Sequence, residues 1–171
     1  MIRSLFARLT GEPRRGQALF DLAVGETRQP HWFLEGEVPD TLNGRFAVLA
    51  TVIALIVVRL ERDGAQGEQA SIGLTERLVE SLDTEIREIG LGDPTLGKQV
   101  RKLVGAVSGR VDRWRALAGA DGSWSDEVRR SLYLDEEADA ASVAHSETAL
   151  RQLSKRLEDA SIEGLVNGRM E

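Results

Sequence analysis

The chain has 171 residues, no cysteine and a formal charge of −6. That length admits one domain with a real core. The missing cysteines exclude a disulfide framework, a thiolate metal site and a cysteine nucleophile, and suit a reducing cytoplasm. The acidic balance argues against a general nucleic-acid binder, so DNA is not an expected partner.

Residues 1–16 read as an N-terminal segment. An apolar stripe begins at Met1, but Arg3, Arg8, Arg14 and Arg15 interrupt it before a signal-peptide core can form. The segment is expected to be a short amphipathic helix that packs on the rest of the chain or touches a membrane surface.

Residues 17–163 read as one helical domain. Ala18, Leu19, Phe20, Leu22, Ala23 and Val24 predict a first helix, and Pro30, His31, Trp32 and Phe33 an irregular connection anchored by aromatics. Asp40 or Thr41 is placed to cap a central helix over about 41–63. From Phe46 to Val58 that helix has no charge, but this is 13 residues, bounded by Arg45 and Arg59. A hydrocarbon core needs roughly 20. The run therefore predicts a buried helix at the centre of a bundle rather than a membrane span. Arg59 to Asp63 should bring it to the surface and Gly64 should end it.

The polar residues 65–71 predict a loop. Leu74, Leu78, Val79, Leu82, Ile86 and Ile89 then recur at the spacing of one helical face. Gly90 is a candidate C-cap, and Asp93 followed by Pro94 opens the next helix, to about Leu117. Between Pro94 and Ala118 there are six basic residues and one acidic, Asp112, a net +5 in a −6 chain. Leu96, Val100, Leu103, Val104, Val107, Val111 and Trp114 form the apolar face. Lys98, Arg101, Lys102, Arg110 and Arg113 are expected on the opposite side.

Ser123 with Asp126 predicts a cap for a short helix holding Val128, Leu132 and Tyr133. Leu150, Leu153 and Leu157 mark a last amphipathic helix, and 164–171 is expected to fray. No run alternates long enough to predict a strand. The fold class is all-α, a single-domain helical bundle around the central buried helix.

Little catalytic chemistry survives testing. Gly92 to Gln99 nearly matches a phosphate loop, but Gln99 replaces the magnesium-binding hydroxyl and a helix precedes it instead of a strand. His31 and His145 are far apart in sequence, without carboxylates at metal spacing on a firm helix, and His31, beside Trp32, reads as a structural or surface residue. Asp83, Glu85 and Glu88 surround Arg87 as a solvated face. No acid–base pair, nucleophile, metal site or cofactor site is named, so no enzyme is expected.

Two blocks of residues resemble the ubiquinol-cytochrome c chaperone family. The first is Val38, Pro39, Asp40 and Thr41 followed by Gly44, Arg45, Phe46 and the apolar helix; the second is Asp83, Arg87, Glu88, Gly90, Gly92, Asp93, Lys98, Lys102, Gly109 and Arg110. The resemblance covers about Phe20 to Leu117, and more loosely to Tyr133. Val107 and Ser108 stand where the family has an aromatic pair, and the apolar helix lacks its histidine.

The resemblance implies an all-helical, non-enzymatic assembly factor that binds newly made cytochrome b and aids biogenesis of the bc1 complex. It also implies a small partner protein and the ribosome as contacts in mitochondria, and for a short chain a cytoplasmic place at the inner face of a bacterial inner membrane. The expected protein-binding residues are Arg45, Lys98, Arg101, Lys102, Arg110 and Arg113, facing ribosomal RNA, anionic lipid headgroups or an acidic client segment. For Arg45 a structural role is preferred, capping a neighbouring helix's carbonyl end or pairing with Asp40 or Asp93, on which Arg45→Ala costs stability more than partner binding. An alternative function is a helical carrier holding a lipid or quinone between helices.

Overall fold

A computed structural model of the chain describes residues 14–88, 93–118, 122–134 and 136–170. Its helices are α1 (Gln17–Thr27), α2 (His31–Leu34), α3 (Leu42–Leu60), α4 (Gly64–Glu88), α5 (Asp93–Ala118), α6 (Trp124–Leu132), α7 (Ala140–Asp159) and α8 (Ile162–Val166). No strand occurs among the described residues. The fold is the expected all-α bundle, with α3 packed against α1, α4, α5, α6 and α7.

The N-terminus of α3 is built as its residues demand. The Thr41 hydroxyl accepts from the Gly44 amide at 3.2 Å, capping a first turn whose donors have no partner within the helix. Gly44 lies so close to Pro39 that a Cβ there would stand 1.9 Å from the Pro39 carbonyl oxygen. Any side chain would push the Val38 to Pro39 strap off the helix and expose Val38, now 1 % accessible. By length and composition α3 could cross a membrane. Here Val48, Ile53, Ala54 and Ile56 are instead buried in the core, and only Phe46, Leu49, Val57 and Val58 are half-buried within its apolar run.

Arg59, which closes that apolar run, is not at the surface. Arg59 Nε donates to the Leu157 carbonyl at 2.8 Å and Nη2 to the Ala160 carbonyl at 2.7 Å, while Nη1 pairs with Asp63. A guanidinium thus satisfies the last carbonyls of α7, where the helix dipole is negative. A 3₁₀ turn, Glu61–Asp63, and Gly64 at φ +54° then reverse the chain.

Three expectations are corrected. The stretch expected to be an irregular connection contains the short helix His31–Leu34, anchored by the buried Trp32. Residues 65–71 are the first turns of α4 rather than a loop: they are polar because Ala65, Gln66, Glu68 and Gln69 face solvent, while Gly67 fits beneath the Leu60 carbonyl. The C-terminal stretch from 164 does not fray. Ser161 caps α8 by accepting from Gly164 at 3.0 Å, Leu165 is fully buried, and Gly168 turns at φ +73° against the Ala18 backbone. The expected helix in residues 1–16 lies outside the described residues except for 14–16, as do Gly90 and the break at 119–121.

Candidate interaction surface

The basic face expected along α5 separates into two unlike halves. Lys98, Arg101 and Lys102, near its start, are exposed and form no ion pair among the described residues. Arg101 lies along the helix over Gly97, where a Cβ would meet its Nη1 at 3.5 Å.

Further along, the cations turn inward. Arg110 is only 5 % exposed; its Nη2 donates to the Ser131 carbonyl at 2.7 Å and its Nη1 to the Ala106 carbonyl at 3.1 Å. Burial, reinforced by the neighbouring Arg113, lowers its pKa to about 10, against the opposing pull of Glu127. Arg113 Nε donates at 2.8 Å to Glu127, whose same oxygen accepts the Ser131 hydroxyl at 2.5 Å. Arg115 pairs with Glu61 and Asp112. Arg110 is therefore a tie between α5 and α6 and not part of an open cationic surface. At 100° per residue it falls about 20° from Leu103, beside the apolar stripe rather than opposite it.

Arg45 is remote from these residues in sequence and role. Its Nε donates to Asp40 at 2.6 Å, both side chains being more than half exposed, and its guanidinium lies 5.8 Å from the Phe33 ring. The pair holds the Asp40 carboxyl below, and the Arg45 guanidinium above, their ordinary ranges, chiefly through the shared hydrogen bond. Around it the α2–α3 corner exposes Leu34 and Leu42.

That corner is fixed from beneath. Trp32 is buried and donates to the Glu26 carbonyl at 2.8 Å. Tyr133 donates to the Gly36 carbonyl at 2.5 Å and lies 2.9 Å from the Ser146 hydroxyl, with burial pushing its phenol pKa up. His31 and His145, far apart in sequence, meet at 3.2 Å and join α2 to α7. Sequence spacing held no signal for that contact, since 114 residues separate the two.

A further feature escaped the sequence: an open groove of about 780 Å³ along α4, with Val57, Ile72 and Val79 among Glu68, Glu76, Arg77 and Glu80. It lies on the surface, with Ile72 exposed, and is not an apolar chamber around α3. A carrier built on α3 would need such a chamber, and its buried residues are instead packed against neighbouring helices. Among the described residues no group of three metal-binding side chains converges.

A helical scaffold that displays several differently charged surfaces is the class these features define. The family model described as Ubiquinol-cytochrome C chaperone matches residues 35–171, and the chain belongs to that family. Its fold is similar to the crystal structure of the Cbp3 homolog from Brucella abortus, with a TM-score of 0.75 over 98% of this chain and 94% of that chain, at 24% sequence identity. No curated protein sequence matches.

Proposed function

We propose that this protein is a non-enzymatic assembly chaperone that binds newly made cytochrome b and aids biogenesis of the bc1 complex. Family membership over residues 35–171 is the observation that supports the reading. The exposed Lys98, Arg101 and Lys102 are the residues proposed to engage the client or an anionic surface beside it, ribosomal or lipid. Among the described residues no ion pair holds them, so these charges stay available for long-range attraction. Arg45 and the apolar α2–α3 corner are the second proposed contact, supported by the exposure of Leu34 and Leu42. The proposed location is the cytoplasm, peripheral to the inner membrane.

The test is deletion of the gene followed by measurement of cytochrome b and of assembled bc1 complex, with crosslinked capture of bound chains from cells making the complex. Loss of both, restored by the intact gene, is expected, with cytochrome b in the captured fraction. Unchanged cytochrome b and bc1 activity would overturn the proposal.

A further inference from the structure

His31 and His145 are the chain's two histidines, and the fold brings them together. His31 Nδ1 lies 3.2 Å from His145 Nε2, and the rings meet edge-on at 63°, so the two nitrogens face each other between α2 and α7. Two nitrogens bound to one zinc ion at about 2.0–2.1 Å each, at the tetrahedral angle, stand about 3.3 Å apart. The spacing here is that of neighbouring ligands on one metal. Among the described residues neither ring has a second hydrogen-bond partner. No outer group therefore fixes a tautomer, and both rings can turn a lone pair inward.

The surroundings favour a cation. His31 opens α2 and Glu35 follows that helix as its αR cap, so a carboxylate stands at i+4 from His31 with the backbone in helical register. Glu35 is exposed and forms no ion pair among the described residues. Of the other charged groups that act on His31, Glu26 is acidic and Arg156 is the cation, which Glu26 holds in two hydrogen bonds at 2.7 and 2.9 Å. Burial, then the charge of His145, lowers the His31 pKa, which keeps its imidazole neutral and ready to ligate at neutral pH. No three metal-binding side chains converge among the described residues, so Glu35 completes a set by rotation of its own side chain.

We propose that His31 and His145, with Glu35 as third ligand and water in the open position, bind one divalent transition metal ion of the zinc class. Two neutral imidazoles and a carboxylate are donors that zinc accepts. Bound there, the ion ties α2 to α7 more firmly than one imidazole hydrogen bond does. It thereby braces the α2–α3 corner that carries Leu34, Leu42 and Arg45. The inference goes beyond the proposed function and does not depend on which client is bound.

No other histidine and no cysteine occurs in the chain, so histidine-dependent metal binding by the tag-free, full-length protein reports this pair alone. Zn²⁺ titrated at pH 7.5 should bind one equivalent, and at about 100-fold over Kd should raise the Tm by about 5 °C. His31→Gln and His145→Gln should each weaken binding by more than about 10-fold, and Glu35→Gln, on an exposed side chain, by about 10-fold with melting of the metal-free protein unchanged. In the unsubstituted protein Zn²⁺ should slow modification of both histidines by diethyl pyrocarbonate, a readout that needs no variant to fold. Absence of one-equivalent binding, equal Zn²⁺ affinity in the native protein and the histidine variants, or histidines modified at the same rate with and without Zn²⁺ would each overturn the proposal. An affinity unchanged by Glu35→Gln would overturn the carboxylate's place in it.

Discussion

His31 Nδ1 and His145 Nε2 stand 3.2 Å apart, with ring centroids separated by 5.3 Å in an edge-on arrangement. A hydrogen bond between two imidazoles needs one ring nitrogen without a proton, so the contact disfavours the doubly charged pair. Burial, then the charge of His145, lowers the His31 pKa from 6.5; Glu35 and Glu26 oppose this and Arg156 adds to it.

A base with a depressed folded-state pKa binds fewer protons than its unfolded counterpart just below pH 6.5. Its stabilising contribution is therefore complete above that pH and declines as pH falls toward the folded-state value. Urea midpoints should drop between about pH 7.5 and 5.5 in the native protein and drop less in His31→Gln. Parallel pH profiles for the two proteins would contradict this assignment.

Arg59 offers a second test, because it serves a helix almost 100 residues away. Replacing it with Met keeps the stem but leaves the Leu157 and Ala160 carbonyls and Asp63 without their donor. Losing charged hydrogen bonds in a half-buried setting should cost about 3 kcal/mol. Arg59→Lys should recover only part of it, since an ammonium cannot span both carbonyls as the planar fork does. Chemical unfolding of the three proteins measures the order.

The buried cluster at the α5–α6 contact distinguishes a broken ion pair from a removed cation. In Glu127→Gln, Arg113 loses its carboxylate and Arg110 an acidic group that offsets its burial, for a loss of about 3 kcal/mol. Arg110→Met leaves the Ser131 carbonyl without its donor but also removes a buried cation whose Nε has no hydrogen bond, so the two effects offset in part and the cost should be about 1 kcal/mol. Denaturant titration of both variants should therefore rank the acidic residue as the costlier to alter.

The all-α class, the central position of α3 and its Thr41 cap were legible because they depend on local signals: apolar run length, charge spacing and a hydroxyl before a helix. The family was legible from residues such as Gly44, where a side chain would collide with the Pro39 carbonyl. What was missed depends on tertiary contacts. Polarity at 65–71 reports solvent exposure, and an exposed helical turn is as polar as a loop. Arg110 and Arg113 were read by charge, yet whether a guanidinium faces water or the Ser131 carbonyl is decided by where α6 docks. The meeting of His31 with His145 and the groove along α4 likewise arise only when distant elements come together.

Lys98, Arg101 and Lys102 give the prediction closest to function. Being exposed and unpaired among the described residues, they contribute little to folding, and reversal to Glu near the start of a helix does not oppose its dipole. The triple variant Lys98→Glu/Arg101→Glu/Lys102→Glu should melt within a few degrees of the native protein yet lose client capture, and native capture should weaken as salt rises. Arg45→Ala is expected to behave differently from a purely structural substitution: its ion pair with Asp40 is too solvated to matter much for folding, so any loss of capture would reflect binding. Retained, salt-insensitive capture by the triple variant would remove the basic start of α5 from the interaction surface.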